Sequence, residues 1–122
     1  MSRRTLAIVA LTALAVTAAA PSASAAPSAA KPTVLELPDG FQPEGIAIGK
    51  QPYAYFGSRA DGDIYRVDLR TGRGRVLAEG PGTPSLGMKI DDRGRLFVAG
   101  GSGGNARVID TRTGRVLQSY TL

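Results

Sequence analysis

Val67-Asp68-Leu69-Arg70-Thr71-Gly72 and Ile109-Asp110-Thr111-Arg112-Thr113-Gly114 are one phrase written twice, 42 positions apart. Working outward at the same shift, Gly45 falls on Gly87, Ile46 on Met88 and Ile48 on Ile90. A two-residue slip at Arg73-Gly74 then lays Arg75-Val76-Leu77 over Arg115-Val116-Leu117. Identity in Asp-x-Arg-Thr-Gly, with apolar matches on both sides, marks one structural unit read twice. A period of about 40–45 residues is that of a β-propeller blade.

Each unit divides into four short strands separated by turn residues. In the first unit the strands are predicted at 45–48, 53–57, 63–68 and 75–79, and in the second at 87–90, 96–99, 106–109 and 116–120. Tyr53, Tyr55, Phe56 and Phe97 are read as strand core. Beyond residue 26 no stretch sustains a 3.6-residue apolar period, so the predicted class is all-β, with about two four-stranded blades of a larger ring. Asp68 and Asp110 recur at the same turn. There they accept backbone N–H bonds two or three residues on, and Gly72 and Gly114 take positive φ without steric cost. Adjacent Asp91 and Asp92 are likewise read as turn residues. The run Gly100-Gly101-Ser102-Gly103-Gly104 lacks the third spaced glycine and the following helix of a phosphate-cradling loop, so it is read as a hairpin loop.

Composition removes whole chemistries. The chain has 122 residues, 43 % of them hydrophobic, and no Cys, His or Trp. It has no thiol nucleophile, disulfide framework or Cys/His zinc site, and it cannot build a Ser-His-Asp triad by itself. Any metal would need oxygen ligands, as calcium and magnesium take. Asp and Glu could act as general bases, but no pattern places two together, so catalytic residues stay unassigned.

The N terminus reads as an address. Arg3 and Arg4 precede an apolar run at 6–20, and Ala23-Ser24-Ala25 supplies a small-residue cleavage site. This is the three-part layout of a secretory signal peptide, predicted over 1–25. The apolar run is shorter than the roughly 20 residues that span a bilayer. Ser2-Arg3-Arg4-Thr5-Leu6 also partly resembles a twin-arginine export signal. Cleavage removes two arginines and lowers the net charge from +5 to +3. An Ala/Pro/Ser linker follows at 26–32, and the folded part is predicted over 33–122. Arginine residues from Arg59 to Arg115 read as scattered over turns and strand ends, with no basic block interleaved with stacking aromatics. Neither a nucleic acid nor, after cleavage, a membrane is an expected partner.

Pro43-Glu44-Gly45-Ile46-Ala47-Ile48 resembles a blade opening of the senescence marker protein/gluconolactonase-like propellers. So does the stretch from Leu86 through Asp91-Asp92-Arg93-Gly94 to Ala99. NHL and YVTN-type propellers are similar at this level. The resemblance covers about 33–122 and implies a six-bladed ring. Many such proteins are calcium- or zinc-dependent lactone or ester hydrolases with the metal in the central channel. A first-blade Glu before the innermost strand is a metal ligand in that family, and Glu44 is the residue that fits the place. Gly45-Ile46-Ala47 departs from the small residue, Pro and aromatic that often follow it. Further Asn and Asp ligands of the family come from later blades. Calcium takes about six to eight oxygens, so Glu44 alone cannot hold it.

Two blades do not close a ring, since propellers typically have about 4–8. Blade one is placed at about 43–80 and blade two at about 85–122, with Thr33-Val34-Leu35-Glu36-Leu37 as an extra strand ahead of them. The first expectation is the front portion of a longer secreted propeller, ending after a strand without a cap, whose missing blades complete the site. The second is a two-blade subunit that closes a ring with copies of itself and binds a small molecule or a carbohydrate. The third is a non-enzymatic secreted interaction module. Tyr55, Arg59 and Asn105 are noted as residues near a ligand-binding face.

Overall fold

A computed structural model describes Ala26, Ser28 and residues 30–122. The signal peptide expected at 1–25 lies outside the described residues. Eight strands form two sheets. The first holds β1 (Pro43–Ile48), β2 (Tyr53–Ser58), β3 (Ile64–Asp68) and β4 (Gly74–Ala78). The second holds β5 (Met88–Ile90), β6 (Arg95–Ala99), β7 (Asn105–Asp110) and β8 (Val116–Thr121). Both are antiparallel meanders in chain order, as in propeller blades. Among the described residues the one helical element is a short 3-10 turn, Gly101–Gly103, inside the glycine loop. No described helix is long and apolar enough to cross a membrane.

The repeat is closer in space than in sequence. Asp68 N donates to Arg73 O at 2.8 Å, and Asp110 N to Arg115 O at 2.9 Å. Leu69 N reaches Pro52 O, and Thr111 N reaches Gly94 O, both at 2.9 Å. The carboxylate of Asp68 accepts from Arg70 N at 2.8 Å, and that of Asp110 from Arg112 N at 2.8 Å and Thr113 N at 2.9 Å. Gly72 and Gly114 have φ of 74° and 78°, where a side chain would be strained. The turns thus follow the sequence reading. The two-residue slip does not exist in the fold: Val67 pairs Gly74 and Ile109 pairs Val116, again 42 apart. Arg75-Val76-Leu77 and Arg115-Val116-Leu117 match as letters only. The hairpins are equal in length, but their bulges fall at different places, between Ile64 and Tyr65 in one blade and Val108 and Ile109 in the other.

The core lies between the facing sheets. Ala47, Tyr55, Ile64 and Leu77 of the first sheet pack with Leu96, Val98 and Ile109 of the second, and Met88 and Ile90 close the edge. Each fully buried Leu or Ile contributes about 1.5–3 kcal/mol of transfer free energy. Tyr55 conforms to its assignment as core, but Phe97 does not. It occupies the position of Tyr55 in the second blade and is 41 % exposed. Tyr55 is covered by the second sheet, whereas no described element covers Phe97.

Residues 33–37 form no strand. The segment has no ladder partner and lies instead across the outer face of the first sheet. The ring of Pro32 packs at the Gly72 turn, where an added Cβ would sit 3.2 Å from the proline Cβ. Farther on, the Phe41 ring lies 6.0 Å from that of Tyr65 at 59°. Between these points Leu35 and Leu37 are half-buried while Val34 and Glu36 are exposed. Val67 sits on this same face, outside the inter-sheet core, and is nevertheless fully buried.

Candidate functional site

The inner strands β1 and β5 run side by side, which brings the two blade openings together. Gly45 makes this approach possible, because a Cβ there would collide with the carbonyl of Leu86. Glu44 is the second residue of β1, just before this contact. Its side chain is half-exposed, and the nearest cation is the Arg59 guanidinium, Nη1 to Oε2 4.0 Å. Such an exposed, long pair contributes about 0–1 kcal/mol.

No group of three His, Cys, Asp or Glu side chains among the described residues is placed to hold a metal ion. The other carboxylates near the blade openings are engaged elsewhere. Asp91 accepts from Arg93 N and Arg95 N at 3.0 and 2.9 Å, and from Arg95 Nε at 2.7 Å. The Arg95 backbone bond first, then its side chain, hold the Asp91 carboxyl below its ordinary range. Asp92 pairs with Lys50 at 3.2 Å. Among the described residues, the donors beside Glu44 therefore do not fit calcium, which takes about six to eight oxygens, or zinc.

Of the residues noted for a ligand-binding face, Tyr55 is buried between the sheets. Arg59 is exposed beside Glu44. Asn105 spends its amide within the fold, donating to Thr83 Oγ1 at 2.8 Å and Gly103 O at 3.2 Å, which braces the glycine loop. The structure does not bring these three into one site.

What it does assemble is a polar joint between the blades. Arg107 of β7 is buried and reaches back to the first blade. Its Nη2 donates to Ser85 Oγ at 2.6 Å and Gly62 O at 2.8 Å, and Nη1 to Glu79 O at 3.4 Å. Ser85 Oγ donates in turn to Gly62 O at 2.7 Å. Burial lowers the pKa of this guanidinium, and the charge of Asp63 opposes the shift. Arg66 completes the joint from the other side. It stacks 4.6 Å over the Tyr53 ring and donates to Thr111 O at 3.1 Å. Arg66 and Arg107 are thus inter-blade fasteners, a role hidden when the arginines are read as scattered over turns and strand ends. The signal was available for Arg107: it alternates in phase with Ile109, on the buried face of an apolar strand.

Residues 30–67, the crossing segment and β1 to β3 almost complete, match the family model described as strictosidine synthase-like, N-terminal. The two sheets are propeller blades. The match agrees broadly with the gluconolactonase-like propeller resemblance of the blade openings. No curated protein matches the chain.

Proposed function

We propose that the chain supplies two blades of an exported β-propeller of the lactone- and ester-hydrolase-like type, and that these blades are its binding wall and not its catalytic centre. The observation that carries this reading is an ordered pair of blades whose inner strands run side by side and present Glu44 beside Arg59 at the blade opening. The inner strands supply one carboxylate, Glu44, at the blade opening, balanced by Arg59. Such a pair suits orienting a small polar molecule in a channel lined by further blades, which would bring the remaining oxygen donors. Export follows from the n-region, apolar run and Ala-x-Ala site of the first 25 residues.

Two measurements test the reading. N-terminal sequencing of the chain from the culture medium should begin at Ala26, and retention in the membrane fraction with residues 1–25 attached would overturn export. Calorimetric titration of that chain with calcium, alongside an aryl-ester and γ-lactone hydrolysis assay, should show neither binding nor turnover. Stoichiometric calcium binding or hydrolysis that is lost in Glu44→Gln would show that these two blades hold a working centre.

A further inference from the structure

The two blades expose faces that are related by the repeat. The first sheet buries Ala47, Tyr55 and Ile64 against the second. Their equivalents 42 residues on are Lys89, Phe97 and Ala106, on the outer face of the second sheet. With Ala99, Val108 and Tyr120 these residues line an open apolar groove of about 330 Å³. What packs on this kind of face inside the chain is the opposite face of a blade: Leu96, Val98 and Ile109 of the second sheet. The repeat equivalents of those three are Ala54, Phe56 and Val67, on the outer face of the first sheet. By the repeat, the open groove and the outer face of blade one therefore correspond to the two faces that meet in the contact inside the chain. Between two copies, such a contact closes a ring or grows a chain of blades.

Blade one's half is already occupied. Pro32 at the Gly72 turn and Phe41 against Tyr65 hold residues 32–41 across it, and Val67 on that face is fully buried. The hold is light. The segment makes no ladder with the sheet, and the nearest backbone bond to the sheet, Arg59 N to Gln42 O at 2.8 Å, lies one residue beyond its end. A cover without strand pairing is the kind that another surface can displace.

We propose that residues 32–41 are a strap that competes, for the outer face of blade one, with the open groove of a second copy of this chain. Bound strap keeps copies apart, and released strap lets them join head to tail. Apparent affinity between copies is reduced by the fraction of chains whose face is uncovered, so loosening the strap strengthens association in proportion. The idea rests on the reading of the sheets as propeller blades, but not on export or on calcium binding, which are read by separate measurements.

The test is sedimentation equilibrium over a range of concentrations, with circular dichroism on the same samples. The parent chain should be monomeric where Phe41→Ser associates about tenfold more tightly or better. Phe97→Asp, placed in the groove, should abolish association in the Phe41→Ser background. A synthetic peptide of residues 30–42 should dissociate the Phe41→Ser assembly. If Phe41→Ser loses its β spectrum, Leu35→Ala takes its place with the same expectation. A folded strap variant that sediments like the parent chain would overturn the proposal, as would assembly that survives Phe97→Asp or ignores the peptide.

Discussion

Replacing Arg107 with Met tests the joint between the blades. The aliphatic part of the side chain is retained, and the bonds to Ser85 Oγ, Gly62 O and Glu79 O are lost. A hydrogen bond from a charged donor contributes about 1.5–3 kcal/mol net. The two short bonds are not both lost at full value, because Gly62 O keeps the Ser85 hydroxyl and only Glu79 O is left with nothing from this joint. The guanidinium also loses its desolvation cost when it is removed. The expected change is a destabilisation of about 2 kcal/mol, below the roughly 3–5 kcal/mol of a broken buried ion pair. In urea, with a slope of about 1 kcal/mol/M for a fold of this size, the midpoint should fall by about 2 M. Arg107→Lys, which keeps the charge but not the fork, should fall about half as far. An unchanged or higher midpoint for Arg107→Met at the same slope would refute the argument: burial of the guanidinium would then cost as much as its bonds return.

Three further outcomes are expected. Gly114→Ala should cost about 1–3 kcal/mol, because φ is 78° and the added Cβ meets the carbonyl of Leu77 in the first blade; Gly40→Ala, with the same φ and open space, should cost less in the same melts. Ile109→Ala should destabilise by about 2–5 kcal/mol, whereas Phe97→Ala on the open face should change the monomer by under about 1 kcal/mol, read by urea denaturation. The Arg70 side chain first, then its backbone N–H, hold the Asp68 carboxyl at about 2 against an ordinary 3.8. Its stabilisation is therefore complete above the ordinary value and lost as pH falls toward about 2. The gap in thermal midpoint between Asp68→Asn and the parent chain should be widest above about pH 4 and shrink as pH falls through about 2; a gap independent of pH would exclude the charge as its source.

The blade architecture was legible because it is written in local chemistry. Asp68 and Asp110 cap the same turn in the same way, and short alternating runs separated by Gly and Asp fix the strands. What was hidden depends on distant partners. Phe97 and Tyr55 are alike in sequence, and only the presence of a covering sheet separates buried from exposed. Residues 33–37 have the pattern of a strand, but a strand exists only where an edge pairs with it, and these residues find a face. The apparent slip after Gly72 compared letters, while the ladder compares hydrogen bonds. Glu44 could be placed at a blade opening, yet the company a ligand needs comes from other parts of a ring.

Among the described residues every ladder joins strands that are neighbours along the sequence, and none joins one sheet to the other. The loops that must close to form each sheet are only a few residues long, so little entropy is lost before pairing begins. Hairpins of this kind form in about 1–10 μs. The first four strands can thus zip before the last four have emerged from a ribosome or a translocation pore. Docking of the finished sheets, with Arg107 finding Ser85 across 22 residues, is left as the late event. The time course of refolding is written into the meander: strand signal should appear early, and the protection of Ile64 and Ile109 amides against exchange should follow with the joint.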